Sequence, residues 1–140
     1  MAETHWNKLG AYLKETQILG SIQNTLYWDQ NTGMPKKGAS WRSEQLTYIA
    51  KVLHERNSSE EFSNLIQAAK NELADIEQNS DNQLFMKDKE RNISLLLREF
   101  NRERNLDPKL VESLAKAKSK GYESWQEACL LYTSPSPRDS

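Results

Sequence analysis

The chain has 140 residues, over a quarter of them charged and about a third apolar, a balance that fits one soluble domain. A net charge of −1 leaves no basic face for nucleic acid or for an anionic membrane surface. The start, "MAETHWNK", lacks the charged lead and apolar core of a secretory signal, and apolar runs such as Leu95 to Leu97 are far too short to span a bilayer, so the cytoplasm is the expected compartment.

Five segments carry helical spacing. The first runs from Thr4 to about Thr32, with apolar residues at Trp6, Leu9, Tyr12, Leu13, Leu19, Ile22, Leu26 and Tyr27. A corner follows. Gly33 suits a left-handed helix end, Pro35 prevents the helix from resuming, and Gly38 lets the chain turn into a second helix at Ala39. Trp28 and Trp41 flank this corner and are expected to bury large surfaces across it, with Trp28 packed against the second helix. Asp29 and Arg42 are expected to pair over the turn, with turn amides between Gly33 and Ser40 as other partners for the carboxylate.

The second helix, Ala39 to about Arg56, has its stripe at Leu46, Ile49, Ala50 and Leu53. In "SSEE", Ser58 is placed to cap a third helix while Glu61 reaches back. The stripe of that helix is Phe62, Leu65, Ile66, Ala69, Leu73 and Ile76, and "QNSDN" at 78–82 reads as a break. The fourth helix carries Phe85, Ile93, Leu96, Leu97 and Phe100 and ends near Arg104. Asp107 and Pro108 are a cap and a first helical residue for the fifth, whose stripe is Leu110, Leu114, Gly121, Trp125 and Ala128. No alternating run of β-branched residues appears, so the fold class is all-α, about five antiparallel helices joined by short connections.

At Cys129 the composition changes to "CLLYTSPSPRDS". This string resembles the translated read-through of a sequencing-library adapter, and 129–140 are expected to be an artefactual, disordered tail. The natural part is then 1–128, without cysteine and so without disulfides or thiolate metal ligands.

The corner also carries a long spaced pattern. Trp28, Asp29, Thr32, Met34, Pro35, Gly38, Arg42 and Gln45, followed by Leu53-His54-Glu55, resemble the N-terminal signature of the Taq-type metallocarboxypeptidases. The segment "RNISLLLREFNRERNLDPKLVESLAKAKSKGYESWQEA" is similar to the Arg-rich helix, the Pro-x-x-Leu-Val and the Trp-x-x-Ala of the same family. The resemblance implies a larger all-α metallopeptidase that removes C-terminal amino acids from peptides. It implies a zinc or cobalt ion held by His-Glu-x-x-His and a downstream Glu, with the motif Glu as general base. It also implies N-terminal helices that wall the substrate groove, and a homodimer.

The metal motif itself is absent. "HERNS" begins like it, but Ser58 stands where the second His belongs, and the only other His is His5. His54 is read as a residue near a helix C-terminus favoured by the dipole, and His5 as a surface residue. Glu60 with Glu61, and Glu3 with Glu15, read as first-turn and solvated charges. Arg98, Arg102 and Arg104 read as a solvated face balanced by Glu99 and Glu103. Asp29 is the one candidate for touching substrate, weighed below its structural tie to Arg42. The expected function is therefore the N-terminal, catalytically inert part of a metallocarboxypeptidase that lacks its C-terminal catalytic region. No catalytic or metal-binding residue is assigned, and no bound metal is expected in the chain alone. The alternative is a stand-alone helical interaction module.

Overall fold

A computed structural model describes residues 3–77 and 83–132. The break expected at 78–82 lies outside the described residues, as do 133–140 of the expected tail. The fold is all-α. The helices are α1 (His5–Thr32), α2 (Ala39–Ser58), α3 (Glu60–Glu77), α4 (Gln83–Arg104) and α5 (Pro108–Tyr132), with one 3-10 turn at Lys36–Gly38. Among the described residues none of these helices is long and apolar enough to cross a membrane.

Short polar side chains cap the starts of α1, α3 and α5. Thr4 Oγ1 accepts from the Asn7 amide at 3.2 Å, and Asp107 Oδ1 accepts from the Lys109 amide at 2.8 Å with Pro108 as the first helical residue. The cap of α3 is Ser59, whose Oγ accepts from the Phe62 amide at 3.0 Å. This moves the cap one residue from the expected Ser58. Ser58 is instead the last residue of α2, and its hydroxyl donates to the His54 carbonyl at 2.7 Å. The first amides of α1 have a second acceptor from far along the chain: Glu72 of α3 takes the His5 and Trp6 N–H groups at 3.1 and 2.9 Å. A carboxylate there also opposes the positive end of the helix dipole.

The core lies between α1, α3 and α4. Leu9 and Tyr12 of α1 meet Phe62, Ile66, Ala69 and Leu73 of α3 and Met86, Ile93 and Phe100 of α4. Tyr12 stacks on Phe62 with centroids 5.3 Å apart, and Phe62 meets Phe100 edge-on at 6.1 Å. Each fully buried apolar side chain of this size contributes about 1.5–3 kcal/mol. α2 packs on α1, α3 and α4, and α5 folds back onto α2.

α5 departs from expectation in which face it buries. Ala115 and Ser119 are the buried residues, whereas Leu110, Leu114 and Trp125 of its apolar stripe are exposed. The small residues let α5 approach α2 closely, and the larger ones are turned out.

Candidate functional site

The signature corner at the junction of α1 and α2 is the candidate site. α1 ends because the Asp29 carbonyl accepts two amides, from Gly33 at 3.0 Å and Met34 at 2.9 Å. Gly33 closes the helix in the right-handed region (φ −116, ψ −10), not the left-handed one expected of it. Pro35 is extended and the 3-10 turn leads straight into α2. At Gly38, in the right-handed region, a Cβ would sit 3.4 Å from Met34 Cγ, an ordinary van der Waals contact, so neither conformation nor space demands glycine there.

Arg42 binds the corner together. Its Nη2 donates to Asp29 Oδ2 at 2.7 Å, its Nη1 to the Leu26 carbonyl at 2.6 Å, and its Nε to Gln45 Oε1 at 2.9 Å. Asp29, Arg42 and Gln45, three positions of the spaced pattern, thus form one network. The carboxylate meets a guanidinium rather than turn amides, because Arg42 reaches back across the hairpin. The Asp29 carboxylate is thus tied to Arg42 while its side chain stays half-exposed.

The tryptophans do the opposite of what was expected. Trp28 is 72% exposed and Trp41 69% exposed. The inward positions at the end of α1 belong to their neighbours. Gln30 is buried with its Nε2 3.4 Å from Ser119 Oγ, and half-buried Tyr27 lies under the Lys118 ammonium at 4.8 Å. Two large indoles therefore stand in solvent beside the Asp29–Arg42 pair.

A second arginine of α2 repeats the device at the other end of the hairpin. Arg56 donates from Nη2 to the Tyr12 carbonyl (3.1 Å) and Glu15 Oε2 (3.2 Å), and from Nε to Thr16 Oγ1 (3.1 Å). Its guanidinium lies 4.1 Å over the Tyr12 ring, and Tyr12 Oη donates to the Arg56 carbonyl at 3.0 Å. Glu15 is thereby a partner of Arg56. The two arginines are fourteen residues apart, close to four helical turns, so they share a face. That spacing was visible in the sequence; the partners on α1 were not.

His54 is near the end of α2, as expected, but it is buried, and its Nδ1 lies 3.1 Å from Glu103 Oε2 of α4. Glu103 therefore serves His54 rather than the arginine cluster. In that cluster Glu99 meets Arg102 at 3.3 Å and Arg98 at 3.8 Å, and Arg104 lies 5.8 Å over the Phe100 ring. His5 is exposed at the start of α1. A catalytic zinc takes about three protein ligands. His54 and Glu103 are a pair without a third donor, and among the described residues no group of three or more His, Cys, Asp or Glu gathers. The described residues do not fit the metal the family implies.

The Carboxypeptidase Taq (M32) metallopeptidase family model matches residues 8–129, and the chain belongs to that family. Among curated proteins it is similar to Thermostable carboxypeptidase 1 of Thermus thermophilus, at 28% identity over 126 residues. The alignment covers 90% of this chain but only 23% of that relative, so the chain spans about a quarter of its length. No solved structure matches.

Proposed function

We propose that this chain is the N-terminal helical part of a metal-dependent carboxypeptidase that releases C-terminal amino acids from peptides. In this reading 1–128 form one wall of the peptide groove. Zinc or cobalt is held by a His-Glu-x-x-His helix in a C-terminal region outside this chain, and 129–140 are foreign to the natural protein. The observation that carries it is the corner: the spaced signature folds into one network through Arg42, inside the segment that matches the family. A cytoplasmic, homodimeric parent belongs to the same reading and rests on the family likeness.

The exposed indoles and the outward stripe of α5 favour a second reading, a helical interaction module without catalysis. One experiment separates the two. The genomic reading frame past the Ala128 codon either continues into a region with His-Glu-x-x-His, as expected, or meets a stop codon, which would overturn the peptidase reading. On the first reading the purified chain neither hydrolyses peptides nor binds zinc at Kd below about 1 μM.

A further inference from the structure

Between the start of α2 and the middle of α5 lies a cleft of about 350 Å³ that the peptidase reading does not use. Lys36 and Lys37 of the 3-10 turn and Lys116 and Lys120 of α5 line it, all four exposed. Among the described residues none of the four is in an ion pair. Glu44 and Glu123 also border the cleft, so four ammonium groups against two carboxylates leave two positive charges. It opens at the N-terminal end of α2, the positive end of the helix dipole.

The interior of the cleft gives the second observation. Ser43 lines it, is 6% exposed, and has a buried Oγ without a hydrogen-bond partner. A helical serine ordinarily turns such a hydroxyl onto the carbonyl four residues back, as Thr47 does onto Ser43 at 2.7 Å. Ser43 does not, and a buried hydroxyl left unpaired is costly. Beside it, Ser119 Oγ accepts from Gln30 Nε2 at 3.4 Å and keeps its own proton to donate. The lysines can only donate, and both hydroxyls have a proton to give. The matching ligand is rich in acceptors and negatively charged. A phosphate monoester carries about −1.5 to −2 near neutral pH, the size of the local excess.

We propose that this cleft binds a phosphate-type dianion, with Lys36, Lys37, Lys116 and Lys120 supplying the charge and the Ser43 hydroxyl the buried donor. The site is independent of the peptidase reading, because it uses neither the corner network nor any metal.

The test is calorimetric titration of the full chain with sodium phosphate, beside sodium chloride at matched ionic strength. Saturable phosphate binding with Kd of about 1 mM or tighter is expected, and none with chloride. Phenyl phosphate distinguishes the source. Tighter binding than the inorganic ion assigns the site to an organic phosphomonoester, and equal or weaker binding assigns it to the free ion. The surface pair Lys116→Gln/Lys120→Gln should weaken phosphate binding about tenfold or more. Ser43→Ala should weaken it about threefold or more without lowering Tm in phosphate-free buffer, since no bond is lost. Equal heats from chloride, no saturation, or phosphate affinity unchanged in either variant would overturn the proposal. Should Ser43→Ala fail to fold, the lysine pair decides alone.

Discussion

Arg42 Nη2 sits 2.7 Å from Asp29 Oδ2, and the two side chains are unequally buried: 13% of the guanidinium side chain is exposed against 49% of the carboxylate side chain. The arginine is therefore the keystone and the aspartate one of its three partners. Asp29→Asn is expected to cost only about 0.5–1 kcal/mol, the range for a solvent-screened pair. Arg42→Ala strips the bonds to Asp29, Leu26 and Gln45 together and should cost about 2–3 kcal/mol. Arg42→Lys should recover little of this, because an ammonium cannot span three acceptors held by a planar fork. Urea denaturation measures all three, and equal costs for Asp29→Asn and Arg42→Ala would contradict the ranking. In the full-length parent, Asp29→Asn should leave kcat/KM per folded molecule near its original value. A tenfold loss at unchanged Tm, about 1.4 kcal/mol, would instead assign the carboxylate to substrate.

Trp28→Ala and Trp41→Ala should each change the stability of this chain by less than about 1 kcal/mol. Both indoles stand in water, and the ~3–5 kcal/mol of a buried aromatic truncation does not apply. Their fluorescence should be readily quenched by iodide. A cooperative loss of stability in Trp28→Ala would show that the indole is covered in solution.

His54 joins α2 to α4 from a buried position. His54→Ala is expected to cost about 2–3 kcal/mol, combining a small cavity with the lost bond to Glu103. Glu103→Gln keeps the shape and an acceptor and should cost about 1 kcal/mol or less. Urea midpoints of the two variants check the order, and a larger loss in Glu103→Gln would mean that the charge, not the packing, holds the helices together.

With Leu110, Leu114 and Trp125 of α5 exposed, the chain is expected to self-associate, because large exposed apolar patches favour association. Sedimentation velocity should show concentration-dependent association, weakened by Leu114→Glu. Association equal in the variant and the original would place the contact elsewhere.

Deleting 129–140 should change the stability of the chain by less than about 1 kcal/mol. α5 continues to Tyr132, but Leu130 and Leu131 on that last turn are exposed, Leu131 at 77%. Thermal melts of the two forms check this, and a larger loss would mean that the final turn is part of the packed structure.

The helices themselves were legible because their signals are local. Period 3.6 marked each stripe, and Asp107 with Pro108 announced the start of α5 where it falls. The Asp29–Arg42 tie was legible too, since a hairpin turn leaves residues thirteen apart few other places to go. What periodicity does not encode is the direction from which a partner arrives. Trp28 and Tyr27 are adjacent, and only the position of α5 decides that Tyr27 lies under Lys118 while Trp28 faces water. The same ambiguity hid the inward face of α5, where Ala115 and Ser119 carry no apolar signal strong enough to outrank Leu114 and Trp125. His54 with Glu103, and Ser43 with the lysines of α5, unite residues dozens of positions apart through tertiary packing, which no window of sequence contains.

Glu72 accepts the His5 and Trp6 amides across a separation of 66 residues and more. The first turn of α1 is thus finished by a helix synthesised well after it. Emerging from the ribosome, those two N–H groups have only water until α3 arrives, and they form a built-in clock for that docking. Their exchange with deuterium runs freely before α1 and α3 meet and slows once they have, separately from the self-contained middle of the helix.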